Sequence, residues 1–224
     1  MEKNVEFLQN KGERSMKIAV LAANGRVGRL IVKEALQRGY EVTSVVRNGA
    51  IVGENPVIEK DIMALTKEDL KGFDVVVSTF GVWDETKFGL YSTVTTHLCD
   101  LLSNTGIRLL IVGGAGSLYI APEHKVQVLD TEGFPAEYKA LAIAAAKSLA
   151  ELRQRNDVKW TYLSPAGFFD AEGKMSGKIT VGGEEAIVNS KGDSYISYAD
   201  YAIAMVDEIE NAKYIQARFS VVGE

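Results

Sequence analysis

One cysteine, Cys99, and two histidines, His97 and His124, are all that this 224-residue chain holds of the commonest soft metal ligands. No intrachain disulfide can form from a single thiol, and a thiolate metal cluster is excluded. Net positive charge is also missing: 25 Lys and Arg stand against 30 Asp and Glu, a formal charge of −5 with pI ≈ 5.3. Nucleic-acid binders neutralise phosphates with Lys and Arg, so this balance argues against such a partner. Long apolar runs are absent as well. The longest, such as Ala140–Ala146, fall far short of the roughly 20 residues a membrane-crossing helix needs. The opening MEKNVEFLQNKGERS is polar and has no apolar signal core. The expectation is a cytoplasmic protein with a loosely ordered extension over residues 1–15. No G-x-S-x-G occurs, which removes the usual hydrolase nucleophile turn. Gly173–Lys178 (GKMSGK) resembles a phosphate loop only superficially. It has three residues rather than four between its glycines, and Ile179 where Ser or Thr should hold magnesium.

Glycine, by contrast, is plentiful at 21 residues against 4 prolines, and its placement is informative. From Lys17 onward short apolar runs alternate with amphipathic ones. Ile18–Ala22, Glu41–Arg47, Asp74–Ser78, Ile107–Val112 and Lys159–Leu163 read as buried strands. Arg26–Arg38, Thr86–Asn104 and Ala136–Arg155 read as helices, the first two stopped by Gly39 and Gly106. This alternation predicts an α/β fold: a Rossmann-like, doubly wound parallel sheet with helices on both faces. After Ser164 the rhythm shortens to Lys178–Val181, Ala186–Val188 and Ser194–Ile196. A helix over Tyr198–Glu210, opened by the Ser197/Asp200 capping spacing, and a strand over Arg218–Val222 follow. We read residues 16–224 as one domain, with a small lobe from about 165 to 224.

The turn from first strand to first helix is Ala22-Ala23-Asn24-Gly25-Arg26-Val27-Gly28. A dinucleotide fold needs a tight turn there, whose backbone can approach a pyrophosphate at the helix N-terminus. Gly25 allows that approach, Gly28 allows helix to pack on strand, and Asn24 tolerates left-handed backbone. Ala22 replaces the first glycine of the usual pattern. NAD-binding chains place a carboxylate about 20 residues further on, to hold the ribose 2′-hydroxyl. Here that strand tip reads Ser44-Val45-Val46-Arg47-Asn48. Arg47, with Arg26 from the turn, can pair with a 2′-phosphate, so NADP(H) is expected over NAD(H). The bland alternative is a solvated charge at a strand end.

The stretch MKIAVLAANGRVGRLIVKEALQRGYEVTSVVRN resembles the opening of atypical short-chain dehydrogenases of the NmrA-like group. It is most similar to bacterial proteins labelled NADH-flavin reductases, which share the fold of biliverdin reductase B. KDIMAL, VVVSTFG, LLIVGGAGSL, WTYLSPAGFF and ISYADYAIAMVDEIE extend the resemblance from Met16 to Glu224. It implies that Asp61 and Ile62 lie beside the adenine, although a simple cap is an equal reading for Asp61. It further implies that Ser78, Thr79, Phe80 and Gly81 line the cofactor. Gly113, Gly114 and Ala115, with Pro165 and Ala166, would lie near the nicotinamide.

The departures from the family pattern narrow the chemistry. Short-chain dehydrogenases move a substrate proton with a Tyr-x-x-x-Lys pair and a nearby Ser. Here Tyr138 is followed four residues later by Ala142 and Tyr91 by Thr95. The serine position is Ala115, with Ser117 two residues beyond. Alcohol oxidation and epimerisation are therefore disfavoured. Hydride transfer to a free flavin or a similar planar acceptor remains compatible, because the acceptor can take its proton from water. Phe80, Trp83, Tyr119, Phe168 and Phe169 are candidate platforms for its ring, each with a core role as the alternative. Two other readings stay open: a non-catalytic NADP(H)-sensing regulator that binds a partner protein, and reduction of another conjugated molecule such as a tetrapyrrole. His124, in a polar loop, is a candidate substrate contact. Cys99 reads as a small buried hydrophobe.

Overall fold

The computed structural model describes residues 15–49 and 53–224, so most of the expected N-terminal extension lies outside the described residues. Strand β1 (Lys17–Leu21) turns into helix α1 (Arg26–Gln37), which returns the chain to β2 (Glu41–Val46). Short β3 (Val57–Glu59) and one-turn α2 (Lys67–Leu70) come before β4 (Val75–Ser78). Next come α3 (Leu90–Leu102), β5 (Arg108–Val112), α4 (Ala136–Leu152) and β6 (Lys159–Ser164). The last quarter holds β7 (Phe168–Asp170), β8 (Ile179–Gly182), β9 (Tyr195–Ser197), α5 (Tyr198–Asn211) and β10 (Ala217–Gly223).

Eight strands make the main sheet, in the order β3-β2-β1-β4-β5-β6-β10-β8. All pair in parallel except β8, which runs antiparallel to β10 at the edge. β7 and β9 form a separate parallel pair. Side chains alternate across a strand, and β1 shows the consequence. Ile18 and Val20 join the core beneath α1 and α5, while Ala19 and Leu21 join the one beneath α3 and α4. Burial on both faces is why these strands read as continuous apolar runs. In the middle of the sheet Leu21 pairs with Ser78 and Ser78 with Ile111, so their carboxyl ends finish level.

Two polar anchors hold α5 in place. Arg108 of β5 pairs with Glu208 at 2.6 Å and donates to the Glu208 and Ile209 carbonyls, closing the end of the helix. At the other end Ser197 accepts from Asp200 N at 3.0 Å, the cap its spacing predicted.

Several elements depart from the sequence reading. The expected helix from Thr86 is split: Asp84 caps a single 3₁₀ turn at Glu85–Lys87, and α3 starts afresh at Leu90. β3, α2 and β7 are too short to carry a periodic signal. Ala186–Val188 forms no strand; Ala186 N instead donates to Tyr119 O at 2.8 Å. Gly39 does end its helix, with φ of 83°, whereas α3 stops at Leu102 with Asn104 in the left-handed region at φ 56°, so Gly106 lies in the link to β5 and does not stop the helix.

Candidate functional site

The β1–α1 turn closes with Gly25 N donating to Ala22 O at 2.9 Å. Ala22 sits at φ 56°, the left-handed region, which explains why the usual pattern has glycine there. An L-residue in that region costs about 1–2 kcal/mol. Gly28 is demanded by space. A Cβ on it would stand 2.8 Å from Thr79 Oγ1, 2.9 Å from Ala23 Cα and 3.0 Å from Ala22 O. Thr79 Oγ1 donates to Leu21 O at 2.8 Å, tying the end of β4 to the same turn. Val27 packs on the core beneath α1. Gly25 is the N-cap of α1, with no side-chain cap and no acidic residue in the first turn. The free N–H groups and positive dipole end of such a helix can receive an anion. Asn24 donates from Nδ2 to Asn48 O at 2.9 Å, while its Oδ1 is buried without a partner. An uncapped helix and a turn whose Gly25 carries no side chain fit a dinucleotide phosphate.

At the tip of β2, Arg47 is exposed, and among the described residues it forms no ion pair. Arg26, which the sequence reading grouped with Arg47, is exposed at the start of α1, its guanidinium carbon 5.6 Å over the Tyr198 ring at the head of α5. Asp61 caps the one-turn 3₁₀ helix Ile62–Ala64, its Oδ1 accepting from Met63 N at 2.9 Å, and Ile62 is buried in the core.

Across the other strand ends, Ser78, Pro165 and Ala166 are buried, and Gly81 is exposed. The ring of Phe80 meets Tyr91 edge-on at 5.7 Å; Tyr91 O–H in turn donates to Val82 O at 3.1 Å, fixing that loop. Gly113 N donates to Leu163 O at 2.8 Å, and Gly114 N to the buried Tyr162 hydroxyl at 3.2 Å. Burial pushes the Tyr162 phenol up to about 12, so it is neutral at physiological pH and serves as a support. The loop through Ala115 then lies flat on α4. A Cβ at Gly116 would stand 2.8 Å from the Ala142 methyl. Ala142 is the position four residues after Tyr138, so a methyl facing this loop stands where the pair would need a lysine. The sequence-predicted residues Ala22 to Gly28, Arg47, Ser78 to Gly81, Gly113 to Ala115, Pro165 and Ala166 thus share the carboxyl edge of the sheet.

Other candidates have structural partners. Ser117 accepts from Arg218 Nη1 at 3.0 Å, and Arg218 also pairs with Glu184. His124 Nε2 lies 2.5 Å from Glu185 Oε1, its ring stacked on Tyr119 at 4.5 Å. In the GKMSGK segment, Ser176 N and Gly177 N donate to the buried carboxylate of Asp200 at 3.0 and 2.8 Å. Those donors are occupied by an anion of the protein itself, so the segment is no phosphate loop. Cys99 is buried, and its thiol is raised to about 11. No cluster suited to a metal occurs among the described residues. Of the five candidate aromatic platforms, Phe169 packs on Tyr198 and Tyr201, Tyr119 on His124, and Phe80 on Tyr91. Trp83 and Phe168 remain 69% and 62% exposed. The sequence reading treated Tyr138 only as a failed motif; it meets Trp83 edge-on at 6.3 Å.

Residues 22–212 match a family described as NAD(P)H-binding. This chain belongs to that NAD(P)H-binding family. It is 45% identical over 212 residues to the uncharacterized protein YwnB of Bacillus subtilis (strain 168), covering 93% of this chain and 99% of that protein. A crystal structure from Streptococcus pneumoniae TIGR4, provisionally named an NADH-flavin reductase, is also 45% identical. The TM-score is 0.92, over 94% of this chain and 100% of the other. A Bacteroides thetaiotaomicron structure provisionally named an epimerase is 33% identical, with TM-score 0.82 over 94% and 99% of the two chains. The resemblance to the atypical short-chain dehydrogenases therefore holds over nearly the whole chain. The names given to these relatives differ on the chemistry, and the residues must decide it.

Proposed function

We propose that this protein is an oxidoreductase that draws on NADPH in preference to NADH and reduces a free flavin or similar planar acceptor. The observation that carries the reading is Ala142 in the place, four residues after Tyr138, where the proton-transfer pair needs a lysine. Ala115 likewise offers no hydroxyl, so the acid–base chemistry of alcohol oxidation or epimerisation lacks its usual residues. A flavin acceptor needs none, since its own ring takes up the electrons and water supplies the proton. The name of the pneumococcal relative points the same way.

The first-turn N–H groups of α1 would hold the pyrophosphate, with Gly25 keeping the approach free of a methyl group and Gly28 letting the helix pack close on the strand. Arg47 would pair with the 2′-phosphate, and Asp61 and Ile62 would flank the adenine. Ser78 to Gly81, Gly113 to Ala115, Pro165 and Ala166 would bound the nicotinamide end. When bound, the reduced cofactor supplies a hydride equivalent; the acceptor needs one further proton, from solvent. The chain's contribution is to fix two rings at one edge and keep them aligned, which is catalysis by positioning.

The test is NADPH oxidation followed at 340 nm with riboflavin, FMN, FAD or a quinone, together with dissociation constants for NADPH and NADH. Turnover with a flavin and tighter binding of NADPH are expected. Tight NADPH binding with no turnover on any acceptor would overturn the proposal in favour of a redox-sensing regulator that binds a partner protein. An NADH affinity equal to that for NADPH would sink the role of Arg47.

A further inference from the structure

Resting on that reading, we propose that Trp83 and Tyr138 form the platform on which the acceptor's ring stacks, and that this platform takes uncharged planar acceptors in preference to phosphorylated ones. Trp83 ends the β4–α3 loop segment that begins at Phe80. Tyr91 grips Val82, one residue before it, through both backbone groups, at 3.2 Å from Val82 N and 3.1 Å to Val82 O. The indole is therefore presented by a fixed loop, although 69% of it faces solvent. Tyr138 stands in the first turn of α4, 47% exposed, its ring 6.3 Å from Trp83 at 69°. Two large rings left in water at the mouth beyond β4 and β5 lose burial that the core would have given them. An edge-to-face pair with free faces is suited to stacking a third ring.

Charge around the pair decides which ring. Asp84 and Glu85 follow Trp83 directly, and Glu137 precedes Tyr138. The nearby cations are engaged: Lys87 Nζ is 2.9 Å from Asp84 Oδ2, and Lys139 Nζ donates to Leu129 O and lies 3.7 Å from Asp130 Oδ1. Lys87 balances Asp84, but Glu85 and Glu137 form no ion pair among the described residues, so a phosphate tail meets two carboxylates there and an uncharged tail is not repelled.

The two tryptophans make the experiment direct. Trp160 is 4% exposed and donates from its indole N–H to Arg155 O at 3.0 Å, so solvent-borne quenchers reach Trp83 alone. Riboflavin is titrated into the protein without NADPH while indole emission is read. Steady-state kinetics with NADPH follow for the native chain, Trp83→Ala, Trp83→Phe and Tyr138→Ala. The expected results are selective quenching of Trp83 and a riboflavin KM raised roughly tenfold in the alanine variants. Trp83→Phe should largely restore KM, and the NADPH dissociation constant should stay unchanged throughout. Riboflavin should exceed FMN in kcat/KM by about threefold or more at low ionic strength, the gap narrowing in salt. Turnover with unaltered KM in both alanine variants would refute the platform and leave the oxidoreductase reading standing. FMN outperforming riboflavin would refute the charge selectivity. Quenching of Trp83 without turnover on any acceptor would support the platform while removing the oxidoreductase reading. Absence of any quenching would refute the platform on its own.

Discussion

Gly25 and Gly28 lie three residues apart in one turn, yet a methyl group added to each should fail in a different way. At Gly28 the new carbon meets Thr79 Oγ1 at 2.8 Å, Ala23 Cα at 2.9 Å and Ala22 O at 3.0 Å. Two of those atoms are backbone, so the helix must lift off the strand. Overpacking of this kind costs about 3 kcal/mol at the upper end of its ordinary range, offset by about 1 kcal/mol from alanine's better helix propensity. Gly28→Ala should thus destabilise by about 2 kcal/mol, lowering Tm by roughly 4–8 °C in a chain of this size. At Gly25 the only close atom is Ala22 O at 3.3 Å, and φ is −64°, which alanine adopts freely. Stability should change by less than about 1 kcal/mol, since the poorer N-cap and the stiffer unfolded chain oppose each other. The Gly25 methyl projects at the uncapped end of α1, where the phosphate must come close. Loss of one or two charge-assisted hydrogen bonds is worth about 2.7 kcal/mol, or roughly a hundredfold in NADPH affinity. Calorimetry of binding and thermal unfolding on both variants separates the two effects. A Gly25→Ala protein that binds NADPH as tightly as the native chain would refute the backbone-approach argument, and a Gly28→Ala protein with native Tm would refute the packing argument.

Three further outcomes follow from the same structure. Arg47→Ala should weaken NADPH binding about tenfold, as expected for one exposed charge-assisted contact, and leave NADH binding unchanged, which titration of each nucleotide will check. Ala142→Lys should not create a working Tyr-Lys pair. It should instead lower Tm, because the Gly116 loop occupies that space, and activity on secondary alcohols should stay absent in a dehydrogenase assay. Asp69 is lowered to about 2, first by Lys60 and then by Thr66, from an ordinary value of 3.8. A depressed carboxyl contributes stability that is fully present above its unfolded value and lost as pH falls through the folded one. Acid unfolding of Asp69→Asn should therefore lack the part of the pH dependence that the native protein shows between about pH 4 and pH 2.

Much of the fold is legible because parallel strands buried on both faces must be apolar throughout, and Ile18–Leu21, Val75–Val77 and Leu109–Ile111 have no other reading. The β1–α1 turn is legible for a related reason: Gly28 is forced by backbone contact, which a sequence records as a residue type. Ala22 shows the limit of that logic, since the left-handed conformation persists there with a methyl group in place. The partner of Arg26 was not legible. Tyr198 is far away in sequence, and a cation over a ring follows no spacing rule. Tyr138 was hidden by the question asked of it. As a motif residue it lacks its lysine, and only the three-dimensional neighbour Trp83 gives it another meaning. The GKMSGK segment was settled by Asp200, whose carboxylate takes the very N–H groups a phosphate would need.

The loss of acid–base residues and the exposed aromatic pair are connected by one packing arrangement. Gly116 presents no side chain and Ala142 only a methyl, so the loop after β5 lies directly on α4. From the first turn of the same helix, Tyr138 meets Trp83 edge-on at 6.3 Å. The helix that lacks the lysine thus also carries half of the aromatic pair. This coupling predicts that enlarging the contact modestly, as in Gly116→Ala, should disturb both. The added carbon, 2.8 Å from the Ala142 methyl, must push loop and helix apart. Tyr138 would then move from Trp83, raising the acceptor KM, while the Gly25–Gly28 turn across the sheet keeps its NADPH affinity. A Gly116→Ala protein with reduced Tm but native acceptor KM would show that the helix and its tyrosine move independently of the loop.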